Sequence, residues 1–75
     1  MDCKSLVIEQ IGSRLKHLRE QKGFTSYERF AIEYDISRMH YWQIEKGKAN
    51  ITIRTLEKLL EIHEISIEKF FEIKI

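Results

Sequence analysis

Proline is absent from the 75 residues, and glycine occurs only at Gly12, Gly23 and Gly47. An all-β fold with many tight turns needs more of both, so the chain favours helices with short connections. Cysteine occurs once, at Cys3, which excludes an internal disulfide; a reduced bystander thiol in a short N-terminal tail, in a cytoplasmic protein, is expected. Long apolar runs are missing as well. Leu6-Val7-Ile8 is stopped by Glu9, too soon for a secretory leader, and no stretch approaches the length of a membrane helix. Neither sign of charge dominates, since 13 Lys and Arg face 12 Asp and Glu for a formal net charge of +1. A binder of bare phosphate is usually more basic, so any nucleic-acid site must be compact and helped by dimerisation.

Chemistry-bearing clusters are also scarce. His17, His40 and His63 are far apart, and no Cys or His pair has metal-ligand spacing, so no metal and no cofactor are expected. Ser37 and His40 share a helical turn but lack an orienting acid, so no nucleophile–base set exists and no enzymatic activity is expected.

What is present is an apolar pattern. Hydrophobic residues make up 43% of the chain, enough for one compact domain over residues 1–75, with its core at about 8–72. The spacing predicts an all-α fold of five helices. Ile8, Ile11, Leu15 and Leu18 share one face of the first, which stops at Gly23. Thr25 or Ser26 caps the second, where Tyr27, Phe30, Ala31 and Tyr34 repeat at helical spacing. Ser37 caps the third, which ends near Lys46 and Gly47. Thr52 caps the fourth, with Ile53, Leu56, Leu59, Leu60 and His63 on one face. Ser66 caps the fifth, with Ile67, Phe70 and Phe71 directed inward. Phe71, Ile73 and Ile75 form an apolar C-terminal tail; it and Leu6-Val7-Ile8 either complete the core or supply a dimer interface.

Charge is unevenly spread. Lys4 to Lys22 holds five basic and two acidic residues, Ser37 to Lys48 holds three and one, and Ile53 to Ile75 holds four and five. The positive face therefore lies on the first helix and the middle of the chain.

That middle fits a helix-turn-helix made by the second and third helices. Two short helices crossing steeply need a small residue where they touch, and Ala31 supplies it. Four positions on, the turn needs a residue that tolerates a left-handed backbone; Asp35 stands where glycine is usual. Ile36 plugs the turn, and Tyr41 and Ile44 face inward from the third helix.

The chain resembles the repressor/Cro-type (XRE) helix-turn-helix proteins. The matching residues are Ile11 to Arg19, Ile44-Glu45-Lys46-Gly47-Lys48, Leu56 to Leu60, and Ile65 to Phe71. Two departures stand out besides Asp35. Tyr27 to Ala31 follows Gly23 one residue later than the common pattern, and Tyr27 replaces a Gln that often opens the second helix. The resemblance implies a compact, five-helix, lambda-repressor-like domain that binds double-stranded DNA in the major groove. It implies base contacts from Ser37, Arg38, Met39, His40, Trp42 and Gln43. Arg38 suits a guanine edge and Gln43 an adenine, while Met39 and Trp42 can pack on thymine methyls or sugars. Trp42 has partial burial as its alternative. Phosphate contacts fall to Lys46 and Lys48, then Asn50, Arg14 and the Tyr27 hydroxyl; a solvated charge is the alternative for each lysine. Arg19 and Glu45 are implied as a structural ion pair.

The function this points to is a sequence-specific transcription regulator, a repressor acting as a homodimer on a palindromic or pseudo-palindromic operator. The alternative is a protein-interaction adaptor, or the antitoxin of a toxin–antitoxin pair, with a protein partner instead of or beside DNA.

Overall fold

The computed structural model describes residues 3–74, with side chains from residue 6 onward. It contains five helices: α1 (Cys3–Gln21), α2 (Tyr27–Glu33), α3 (Arg38–Glu45), α4 (Ile53–His63) and α5 (Ile67–Glu72). No strand occurs among the described residues. The four shorter helices start at the hydroxyl residues that the sequence nominates. Ser26 Oγ accepts from the Glu28 and Arg29 amides at 3.1 and 3.3 Å. Ser37 accepts from His40 at 3.3 Å, Thr52 from Thr55 at 3.1 Å, and Ser66 from Lys69 at 3.2 Å. Each bond satisfies an amide that has no partner within its own helix.

The core lies where all five helices converge. Leu15, Phe30, Ala31, Tyr41, Leu59 and Phe70 are completely buried, with Ile44 and Leu56 nearly so. Phe30 is its hub. The rings of Phe24, Tyr34 and Tyr41 lie 5.4, 4.8 and 5.0 Å from it, and His63 stacks parallel to it at 5.4 Å. Tilted and edge-on contacts of this kind add to the burial of the rings themselves.

Three expectations of the sequence need correction. The first helix starts at Cys3, not near Ile8, so the N-terminal tail is helical there; its apolar Leu6 and Val7 stay exposed and Ile8 is half-buried. Ile53 does not join the inward face of α4. It occupies the first helical position, beside exposed Arg54, and is 72% exposed. In α5 only Phe70 is buried, while Ile67 and Phe71 are nearly half exposed. A helix of six residues is under two turns long, so one side chain reaches the core and its neighbours are rotated off it. Of the apolar C-terminal residues, Ile73 packs against the core and Ile75 lies outside the described residues.

Candidate nucleic-acid interface

The α2–turn–α3 unit is built from backbone geometry first. Ala31 has no exposed surface, and its carbonyl accepts from the Ile36 amide at 2.8 Å, drawing the turn back onto α2. Asp35 takes the left-handed conformation, at φ +57°. Ile36 is half-buried against the core, and Ser37 then caps α3. Tyr41 and Ile44 are the inward residues of α3. Its remaining positions face outward or lie at the edge.

The far end of α3 is fastened to α1. Arg19 donates from Nε to Glu45 Oε2 at 2.7 Å and from Nη2 to Oε1 at 3.1 Å, a two-pronged pair. Its Nη1 donates to the Phe24 carbonyl at 2.7 Å, so one guanidinium ties α1, the first loop and α3 together. Both side chains of the pair are about 5% exposed. Burial penalises the Arg19 charge, but the hydrogen bond and charge of Glu45 outweigh it and hold the guanidinium above its ordinary pKa. The buried Tyr41 hydroxyl lies beside this pair without closing a hydrogen bond of good geometry. Burial, then Glu45, raises its pKa, so it stays neutral.

The outward face of α3 carries exposed Ser37, Arg38 and Met39, with His40, Trp42 and Gln43 half-buried. Lys46, Lys48 and Asn50 are exposed in the loop that follows. The Lys48 ammonium sits 5.5 Å from the centroid of the Trp42 ring, within cation–π range. Tyr27, at the start of α2, joins Arg38, Met39 and Trp42 in lining one groove. Arg14 is elsewhere. It donates to the carbonyls of Gln10 and Phe71 at 3.3 and 3.4 Å and packs over the Phe71 ring, on the groove between α1 and α5.

The sequence model of the helix-turn-helix domain family matches residues 12–72. The chain belongs to the XRE-type helix-turn-helix family of DNA-binding regulators. This regulator is 37% identical over 62 residues to the control protein C.MunI of Mycoplasma sp, covering 83% of this chain and 84% of that one. It is 40% identical over 45 residues to the plasmid copy control protein CopR of Streptococcus agalactiae, covering 60% of this chain and 49% of CopR. Its fold is similar to the crystal structure of the restriction-modification controller protein C.AhdI from Aeromonas hydrophila. There the TM-score is 0.75 at 27% identity, over 88% of this chain and 98% of that chain.

Two residues of this helix-turn-helix regulator escape a reading of the sequence alone. Glu28 shares the groove with Arg38, Met39 and Trp42, placing a carboxylate on a face otherwise marked by cations. Only the packing of α2 on α3 reveals that. Gly12 lies in mid-helix, where a Cβ would come within 2.4 Å of the Ile44 carbonyl oxygen and 2.6 Å of that of Glu45. An isolated glycine inside a helical pattern is the signal that could have found it, because it marks a close backbone approach. No helix of the described residues is long and apolar enough to cross a membrane.

Proposed function

We propose that this regulator binds a two-fold symmetric operator as a homodimer, with α3 in the major groove, and represses transcription there. The observation that carries the reading is the outward side of α3. Arg38 and Met39 are exposed at its start, Gln43 stands one turn on, and Lys46 and Lys48 follow directly. The inward side of the same helix is buried through Tyr41 and Ile44 and tethered through Glu45. A helix held rigidly by one side and polar on the other suits base readout.

In this reading Arg38 and Gln43 make hydrogen bonds to base edges, with Ser37, Met39, His40 and Trp42 beside them. Tyr27, Lys46, Lys48 and Asn50 contact phosphates and set the register of the protein on the duplex. Arg14 is already engaged with α5 and is left out of the contact set. One recognition helix reads only a few base pairs, so a second copy doubles the contacts. Exposed Ile67 and Phe71 on α5 offer the surface for it. The likeness to a restriction-modification controller protein supports a regulatory role, in the cytoplasm and without catalysis.

Selection of bound sequences from a random duplex library, followed by affinity against salt, tests the reading. A two-fold symmetric motif bound at physiological salt is the expected outcome. An asymmetric motif would remove the dimer. No motif, with weak binding that vanishes in salt, would remove operator recognition and leave the adaptor or antitoxin function.

A further inference from the structure

We propose that Glu9 is an affinity-limiting residue: its carboxylate, held beside the Lys46-Gly47-Lys48 loop, weakens the grip of that loop on DNA phosphates whatever the base sequence. The proposal rests on the phosphate contacts assigned above to Lys46 and Lys48.

Glu9 lies on α1, before the stretch that the family model matches, which starts at residue 12. Its placement is fixed by packing. A Cβ on Gly47 would meet Glu9 Cγ at 2.6 Å and Glu9 Cα at 3.0 Å, so the stem of Glu9 fills space that only a glycine leaves open. The carboxylate is one bond beyond that Cγ, and the residue is exposed, so the charge faces solvent beside the loop. The loop in turn is bonded back onto α3. The Lys46, Gly47 and Lys48 amides donate to the carbonyls of Trp42, Ile44 and Gln43 at 3.0, 3.1 and 2.9 Å.

The fold makes no use of this charge. Among the described residues Glu9 closes no ion pair with Lys46 or Lys48. It also lies beyond the first turn of α1, where a carboxylate would serve the helix dipole. What the charge acts on is an anion brought to the loop. Two ammonium groups and one carboxylate leave a single net positive charge there, so phosphate is still attracted, but less strongly. Charges this close are poorly screened, because the Debye length is about 10 Å at 0.1 M salt. In a chain with a formal net charge of +1, one carboxylate at the phosphate face carries weight. It lowers retention on operator and random DNA alike, and so sets the concentration at which the regulator acts.

The test measures dissociation constants of the whole chain by anisotropy of a labelled duplex, over a series of salt concentrations. One duplex has random sequence and the other is the operator from the library. Glu9→Gln should tighten binding to both by about fivefold at about 50 mM salt and leave their ratio unchanged. The gain should fade as salt rises, so the slope of log affinity against log salt steepens by about 1. Gln keeps the stem against Gly47, so the melting temperature should match the wild type. Glu61→Gln changes the net charge equally from α4, about 13 Å along the helix from its cap Thr52, and should leave affinity and slope as in the wild type. Unchanged binding in Glu9→Gln would overturn the proposal, and with Lys46→Ala and Lys48→Ala still weakening binding it would leave the phosphate reading intact. Weaker binding in Glu9→Gln would make Glu9 an orienting partner of a lysine and overturn it as well. Equal gains from Glu9→Gln and Glu61→Gln would assign the effect to net charge alone and overturn it too. If both lysine variants bind random duplex like the wild type, the phosphate contacts fall and the role of Glu9 falls with them.

Discussion

Arg38 and Gln43 differ from the lysines that follow them in what they can read. A guanidinium or an amide matches the donor and acceptor pattern of one base pair, while an ammonium finds any phosphate. Arg38→Ala or Gln43→Ala should therefore cost about 1–3 kcal/mol at one operator position and relax the preference there. Lys48→Ala should weaken all sequences alike and reduce the slope of log affinity against log salt by about 1. Competition binding at several salt concentrations separates the two behaviours. Arg19 and Glu45 act through structure. Removing either leaves an unpaired, nearly buried charge, so Arg19→Ala should cost about 3–5 kcal/mol in urea unfolding. His63 gives the fold a pH dependence. Burial against Phe30, then the charge of Lys22, lowers its pKa from 6.5 to about 4. An unfolded chain takes up this proton near pH 6.5 and the folded chain only near 4, so the unfolded state binds more protons between those values. The stability that neutral His63 contributes is therefore complete above pH 6.5 and lost as pH falls toward 4. The urea midpoint should drop between about pH 7.5 and 5, and the drop should shrink in His63→Phe. An equal drop in the variant would assign the effect to other groups.

At the scale of elements, the placement of α3 depends on its contact with α1. Gly12 lets the α1 backbone approach the last carbonyls of α3 directly, about two turns before Arg19 takes hold of Glu45. The atoms that an added Cβ would strike are backbone, so no side chain can swing away, and α3 must shift as a unit. Gly12→Ala should cost roughly 1–3 kcal/mol as an overpacking defect. It should also lower the ratio of operator to random-DNA affinity at temperatures where the variant is fully folded. A mutation that only destabilises, such as Leu59→Ala in α4, should leave that ratio unchanged. Gly47 plays a matching part past the end of α3. At φ +69° it takes a backbone unfavourable for other residues, and a Cβ there would meet the stem of Glu9 at 2.6 Å. Helix α1 therefore braces α3 at two glycines and one ion pair.

For the whole molecule the open matter is how a near-neutral protein holds DNA. A net charge of +1 gives little long-range attraction, so affinity must come from local contacts, which the proposed homodimer would double. Exposed Ile67 lies on α5, off the face of α3. Ile67→Glu should halve the mass seen by light scattering and abolish two-fold operator binding without lowering the melting temperature. A variant that stays dimeric would move the interface to another surface, with Leu6 and Val7 on α1 next in line. The aromatic hub at Phe30 should keep Ile67→Glu folded, because the change does not reach it.

Much of this was legible along the chain because it depends on near neighbours. Ser26, Ser37, Thr52 and Ser66 cap helices through amides two or three residues away, and Leu15, Leu56 and Leu59 turn inward by helical spacing. The sequence by itself thus determined five helices, the starts of the last four and most of the core. Periodicity does not say where a helix overhangs its neighbours, which is why Ile53, Ile67 and Phe71 fall on inward faces by spacing and yet lie exposed. Nor could it show left-handed Glu64, at φ +53°, which ends α4 although no glycine marks the spot. The meeting of Glu28 with Met39 and Trp42, the seat of α3 on Gly12 and the burial of the Arg19–Glu45 pair were decided only in tertiary structure. Each depends on the distance and angle between helices, which side chains from distant parts of the chain set together.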